Sequence, residues 1–206
     1  MIYKLVLTIS LVLFPILCFG QSALLERGEN SIGFGSGMSF TRNVTLRQAS
    51  LVGSVAGMFD IGYFIGSASI NNSPINVSVN GFFGKMHLAR NDNKPNEFSA
   101  NVAIFVQFEN VESQSATTYG LSLYRRIRNK NSGVTLPGIS IARTVPTNSR
   151  QDAVLSYYVD MPMAKRFGEN TMLSLSLSFG VTDKQSFVGV AIGISFVLGK
   201  KPNKSE

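Results

Sequence analysis

The chain has 206 residues, of which 44% are hydrophobic and only 15% are Asp, Glu, Lys or Arg, whereas soluble domains carry about 25% charged residues. Lys and Arg number 19 against 12 Asp and Glu, so the formal net charge is +7. The apolar content excludes a disordered chain and the length excludes a large multidomain assembly. The scarcity of charge argues against an ordinary soluble surface.

The first 20 residues have the pattern of an export signal. Lys4 precedes an apolar run over 5–17, and a Cys-Phe-Gly sequence then leads to Gln21. A membrane-spanning helix needs about 20 apolar residues, and this run is shorter and contains Pro15. We therefore predict a cleaved signal peptide over 1–20, followed by a short periplasmic segment over 21–30.

The single cysteine, Cys18, lies inside this signal. Acylation of Cys18 is disfavoured because Pro15-Ile16-Leu17 lacks the small residues usual before a lipidated cysteine. The exported chain would then contain no cysteine, which predicts neither disulfides nor a thiolate metal site.

From residue 31 onward, apolar and small or polar residues alternate with a period of two, which indicates β-strands. We predict ten strands, with eight as the alternative, because Gly53, Gly57 and Pro137 interrupt the second and seventh. The predicted strands lie near 31–41, 48–57, 59–70, 75–88, 97–109, 117–127, 134–144, 153–163, 171–181 and 186–199.

The two faces of these strands differ in a way that suits a membrane. The last two strands carry no charge over 171–182 or 186–199, and Gly, Ser, Ala and Thr dominate the face opposite the apolar one. In hydrocarbon every backbone polar group must be paired, so a sheet has to close. We therefore predict an all-β, antiparallel, up-and-down transmembrane β-barrel over 31–199 with its apolar face toward lipid. An exported soluble β-barrel that binds an apolar ligand is the alternative.

Aromatic residues are assigned to the outer and inner faces of this barrel. Small barrels fill their interiors with side chains, so we expect a narrow, plugged lumen. The expected interfacial aromatic residues are Phe40, Tyr63, Phe98, Phe108, Tyr119 and Tyr157, and the expected bulky inward residues are Phe64, Phe82, Phe105, Tyr124 and Tyr158.

The final strand carries a further signal, since Gly193, Phe196 and Leu198 form a Gly-x-x-aromatic-x-apolar ending. Together with the export signal and the amphipathic strands over 31–199, this ending resembles the small outer-membrane β-barrel proteins of Gram-negative bacteria. The resemblance implies an outer-membrane location, contact with membrane lipid, and recognition of the last strand by the barrel assembly machinery. A polar, basic tail over 200–206 departs from members that stop at the aromatic residue.

An even strand count with both chain ends in the periplasm assigns each turn between strands to the periplasmic or the outer side. All of these turns are short. Periplasmic turns are expected near 57–60, 90–96, 128–133 and 164–170, and outer turns near 42–47, 71–74, 110–116, 145–152 and 182–185. Short outer loops disfavour a large extracellular binding surface.

No residue pattern indicates catalysis or a cofactor. His87 is the only histidine, and Ala89 stands where the His-x-Ser spacing of outer-membrane lipid A deacylases would place a serine. We expect His87 to be an interfacial polar residue, and we expect no catalytic, metal or cofactor-binding residues. The glycines over 33–37 lie at a period of two without a following Lys-Ser or Lys-Thr, so they indicate a strand rather than a phosphate loop.

Basic residues cluster at two places. Arg125, Arg126, Arg128 and Lys130 lie at one strand end, and Lys200, Lys201 and Lys204 lie in the tail. Because an exported chain meets little nucleic acid, these clusters suggest a solvated turn or attraction to anionic head groups. The sequence thus favours a non-enzymatic outer-membrane component.

Overall fold

A computed structural model describes residues 21–71, 73–90, 101–112, 114–128, 133–147, 152–182 and 185–199. The predicted signal peptide over 1–20 and the tail over 200–206 lie outside these ranges. No helix among the described residues is long and apolar enough to cross a bilayer.

Within the described ranges the chain forms twelve antiparallel strands preceded by one short 3₁₀ turn at Gln21–Ala23. The strands are β1 Ser31–Thr41, β2 Val44–Val55, β3 Phe59–Ile70, β4 Asn76–Ala89, β5 Asn101–Val111, β6 Gln114–Tyr124, β7 Ile127–Arg128, β8 Gly133–Thr135, β9 Gly138–Pro146, β10 Val154–Phe167, β11 Thr171–Thr182 and β12 Ser186–Val197.

Ten of these strands are long and close into a barrel. Each pairs with its sequence neighbour, β6 pairs with β9, and β1 pairs with β12 over the whole of 31–41. The short strands β7 and β8 continue the β6 and β9 strands at one end, where β8 pairs with β10. The predicted ten-stranded, all-antiparallel barrel is therefore confirmed.

Two prolines lie at the break between β8 and β9, one in the break itself and one on the neighbouring strand β10. Pro137 interrupts the strand as the sequence predicted, and Pro162 lies on β10 opposite the gap between the β8 and β9 pairings. Since Pro has no backbone N–H, placing Pro162 at the gap avoids the loss of a ladder hydrogen bond. The Pro162 carbonyl still accepts a hydrogen bond from Leu136 N–H (2.8 Å).

The observed strand bounds agree with the predicted ones for two strands and differ for others. β1 and β3 have the predicted bounds, whereas β2 begins at Val44 rather than at residue 48. The extra residues are strand because β3 supplies pairing partners for them, from Ile70 opposite Val44 to Ser67 opposite Arg47. β10 likewise extends to Phe167 along β11.

The apolar side chains of the strands point outward. Exposed outward residues include Ile32, Phe34, Ile61, Ile104, Leu173, Phe179, Val188 and Phe196. Five of the expected interfacial aromatic residues, Phe40, Tyr63, Phe108, Tyr119 and Tyr157, are on this outer face, while Phe98 lies outside the described residues. This orientation is the one predicted for a membrane barrel and the reverse of that in a soluble carrier.

The inner face contains four of the five bulky residues expected there, Phe64, Phe105, Tyr124 and Tyr158. The assignment of Phe82 was wrong: its side chain is 58% exposed, whereas that of Phe83 is 6% exposed. The reason is the strand period, because Phe83 shares the inner face with Gly81 and Lys85. Phe82 instead packs on the outer Tyr63, with ring centroids 4.8 Å apart.

Two apolar clusters occupy the interior. One lies toward the end where β2 begins and β5 finishes, and includes Val44, Leu46, Val79, Val111 and Phe187. The other lies at the opposite end, next to the N-terminal segment. Its members are Ala23, Leu24, Leu25, Ala103, Tyr124, Leu136, Ala164, Met172 and Val197.

Candidate functional site at the N-terminal end of the barrel

Residues 21–29, here called the N-terminal segment, fold into the barrel end at which β1 begins. Ser22, Ala23 and Leu25 are fully buried and Glu29 is nearly so. Gly33 on β1 provides the space for this arrangement, because a Cβ at Gly33 would overlap the side-chain amide of Gln21. The sequence predicted only a short periplasmic segment here and carries no periodic signal for its burial.

A buried polar cluster joins the segment to four strands, β2, β3, β4 and β6. The Ser22 backbone N–H donates to Asp60 Oδ1 (2.9 Å) and the Ser22 hydroxyl donates to Asp60 Oδ2 (2.5 Å). The Ser54 hydroxyl also donates to Asp60. Ser22 Oγ lies 2.7 Å from His87 Nε2, and the Tyr124 hydroxyl lies 2.7 Å from His87 Nδ1.

The donors and acceptors in this cluster assign one tautomer to the histidine. Ser22 gives its only hydroxyl proton to Asp60, so Ser22 Oγ must accept from the Nε2–H of His87. In the neutral imidazole the other ring nitrogen, Nδ1, accepts from the Tyr124 hydroxyl, and every polar atom of the ring is then satisfied.

Two arginines bind the backbone of the segment. Arg90 donates to the carbonyl of Ser22 (2.7 Å) and also to that of Leu25. Arg126 donates to the carbonyl of Leu24 (3.2 Å). These bonds satisfy carbonyls that the short 3₁₀ turn leaves without partners.

Two carboxylates complete the attachment. Glu29 accepts a two-point ion pair from Arg166, with distances of 3.0 and 2.6 Å. Glu26 binds Arg126 at 3.1 Å and Arg128 at 2.6 Å. Because the Glu29 side chain is 1% exposed and that of Glu26 is 34% exposed, the Glu29–Arg166 pair is the less screened of the two.

The polar residues singled out from the sequence can now be placed. His87 is buried inside the barrel, so the expected interfacial position was wrong: its side chain lies on the inner face of β4 with Phe83 and Lys85. Of the predicted basic cluster, Arg126 and Arg128 bind Glu26 rather than only solvating a turn. Lys130 and the tail lysines lie outside the described residues.

The cluster contains a serine, a histidine and an aspartate but lacks the geometry of a hydrolase. In a catalytic triad the acid orients the histidine, whereas here Asp60 binds Ser22 and a tyrosine binds the histidine. The serine oxygen is fully buried and already committed to two partners. Over the described ranges, no group of three or more His, Cys, Asp or Glu side chains could hold a metal ion.

Comparison with known proteins bears on the fold alone. No family model matches the sequence, and no curated protein is similar to it in sequence. An outer-membrane channel from Pseudomonas putida F1 has a similar structure, with a TM-score of 0.55 and 9% identity over 84% of this chain and 97% of that one. This chain has the outer-membrane β-barrel fold.

Two further solved structures are less similar to this barrel. The β-domain of the Bordetella autotransporter BrkA gives a TM-score of 0.47 at 12% identity, over 84% of this chain and 100% of that one. Ail, the attachment invasion locus protein of Yersinia pestis, gives 0.36 at 8% identity with the same coverage of each chain.

Proposed function

We propose that the protein is an integral outer-membrane β-barrel that acts as a non-enzymatic envelope component with a closed lumen. One observation carries this proposal: the strands turn their apolar side chains outward while the interior holds two apolar clusters and the N-terminal segment. An outward apolar band is what a bilayer requires of a barrel.

The N-terminal segment supports a closed lumen because it is fixed at many points. Hydrogen bonds from Arg90 and Arg126, the Glu29–Arg166 pair and the buried bonds between Ser22 and Asp60 attach it to the wall. Segments that plug a barrel from within block the passage of solutes. In the proposed orientation this end faces the periplasm.

The same orientation leaves only short connections at the outer end. β1 and β2 are joined by two residues, and β11 and β12 by three. The last strand, with Phe196 outward and Leu198 exposed directly after its end, is the element that the assembly machinery would recognise. An export signal over 1–20 would deliver the chain to that machinery.

A hydrolytic function is the weaker candidate. The contact between Ser22 and His87 favours it, but the Ser22 hydroxyl points at Asp60 and the serine has no exposed surface. A lipid substrate could reach Ser22 Oγ only if the whole segment left the barrel.

Planar-bilayer recording with the purified full-length protein tests the closed lumen. We expect no unitary conductance steps of the size that general porins give, while the protein retains a heat-dependent shift in gel mobility. Regular porin-sized steps from folded protein would refute the closed lumen and favour a channel, as the Pseudomonas putida protein is.

A further inference from the structure

An apolar groove of about 650 Å³ lies on the outside of the barrel wall. It crosses β6, β9, β10, β11 and the start of β12, and its outward lining includes Leu121, Ile139, Ile141, Tyr157, Val159 and Phe179. The register places these residues in two adjacent rows across the strands, with Leu121 opposite Ile141 and Ile141 opposite Tyr157. The volume is within the usual range for ligand sites.

An exposed arginine lies directly beside this groove. Arg143 is the next outward residue of β9 after Ile141, because side chains two positions apart share a face. Its cross-strand neighbours are Tyr119 and Leu155. Within the described ranges Arg143 has no ion pair and no side-chain hydrogen bond.

An unpaired guanidinium on a lipid-facing surface can bind an anionic head group. A charge there costs little near the interface and more toward the bilayer midplane, and the arginine stem can extend to the head-group level. Guanidinium binds phosphate oxygens through two parallel hydrogen bonds. Arg143 lies three residues before the end of β9 at Pro146, which places it toward the rim.

We propose that Arg143 and the groove beside it form a binding site for a phosphate-bearing membrane lipid. The guanidinium binds the lipid phosphate, and an acyl chain lies along Ile141, Tyr157 and Val159. The inference rests on the proposed membrane insertion, because only a membrane-inserted barrel presents this face to lipid.

A matched control exists on another part of the wall. Arg47 is also exposed, and it lies three residues from the same end of its strand, which begins at Val44. Its neighbours are Met38 and Ser67. No residue of β1, β2 or β3 lines the groove, so Arg47 offers the charge without the acyl-chain surface.

Native mass spectrometry of the full-length protein, released from detergent with lipid A bearing both phosphates, tests the site. We expect one lipid retained by the wild type, about tenfold less retention by Arg143→Gln, as for loss of a charge-assisted hydrogen bond, and no change for Arg47→Gln. Filling the groove with Val159→Trp should also reduce retention, whereas Ile61→Trp, on the outward face of β3, should not.

Equal retention of lipid A without phosphates, or equal losses with both arginine variants, would overturn the site. Displacement by millimolar inorganic phosphate would also overturn it, because the anion alone would then be the ligand. A dimer without bound lipid would assign the groove to a second copy instead. A wild-type chain lacking the heat-dependent gel shift would refute membrane insertion itself, whereas a folded barrel without lipid refutes only the site.

Discussion

At the scale of single residues, two buried aspartates on the inner face differ in their hydrogen bonds. Asp60 accepts hydrogen bonds from the Ser22 amide, the Ser22 hydroxyl and Ser54, and it faces Lys85 across the β3–β4 pair. Asp160 is equally buried and has Lys85 and Ser140 nearby, yet among the described residues neither of its carboxylate oxygens makes a hydrogen bond of good geometry. Burial of a carboxylate without hydrogen bonds opposes folding.

This contrast predicts opposite effects of the same substitution. Asp60→Asn should lower the free energy of unfolding by about 2 kcal/mol, because it removes charge-assisted bonds to a buried group. Asp160→Asn should leave it unchanged or raise it by about 1 kcal/mol, since an amide costs less to bury than a carboxylate that makes no hydrogen bond. Urea unfolding in detergent, followed by gel mobility, measures the free energy of unfolding of both variants. Equal decreases in the two variants would contradict the difference inferred between Asp60 and Asp160.

The residue scale also shows what the sequence could not indicate about the candidate site. His87 stands out in the sequence as the only histidine, but its partner Ser22 lies 65 positions away in a segment without periodicity. Only the sequence of the N-terminal segment itself, with Gln21, Ser22, Glu26 and Glu29 among apolar residues, hints at polar contacts inside a barrel.

At the scale of elements, inward phenylalanines pack on glycines of the neighbouring strand. The register places each phenylalanine directly opposite a glycine, and a Cβ on that glycine would overlap the ring. The pairs are Phe64 with Gly81, Phe83 with Gly62, Phe105 with Gly120, and Phe187 with Gly180. The rings thus fill the lumen by covering positions that have no side chain.

Two glycines of β4 test this packing. At Gly81 a Cβ would overlap the Phe108 carbonyl oxygen and the Phe64 ring, whereas at Gly84 its nearest neighbour would be 3.8 Å away. Gly81→Ala should therefore destabilise the barrel by about 1–3 kcal/mol, as overpacking does, and Gly84→Ala should have little effect. The temperature at which gel mobility changes reports both variants, and equal temperatures would contradict the packing.

The sequence predicted well which segments of the chain form strands. The period-two pattern set the bounds of β1 and β3, because the side-chain direction in a strand is a local property. It failed for the start of β2 and for the choice between Phe82 and Phe83. Two adjacent aromatic residues do not show by themselves which of them points inward. Phe83 does so because it shares a face with Gly81, Lys85 and His87.

At the scale of the whole molecule, buried apolar side chains occupy the barrel interior at two separate levels. The N-terminal segment and its apolar neighbours occupy one end, and the cluster containing Val44, Leu46 and Val111 lies toward the other. Loosening the segment alone would leave the second cluster in place. The wall between them is held by an uninterrupted ring of long strand pairs.

This arrangement predicts a variant with a loose segment and no open pore. Glu29→Gln removes the buried partner of Arg166 and should expose the segment to trypsin cleavage after Arg27, which is already on the surface. Conductance in planar bilayers should stay absent. Arg128→Gln is the control, because that exposed pair contributes little. Channel steps in Glu29→Gln would show that the segment is the sole barrier.

The sequence by itself determined the class of fold and the face that meets lipid, and it narrowed the strand count to ten with eight as the alternative, because each residue contributes to the alternation and to the near absence of charge. The structure decided for ten. The tertiary structure decided which side chains meet across the lumen, from the Phe–Gly pairs to Ser22 with His87, and it placed Arg143 beside an outer groove. These contacts depend on the strand register and on closure of the barrel, which bring together residues far apart in the chain and leave no local sequence pattern.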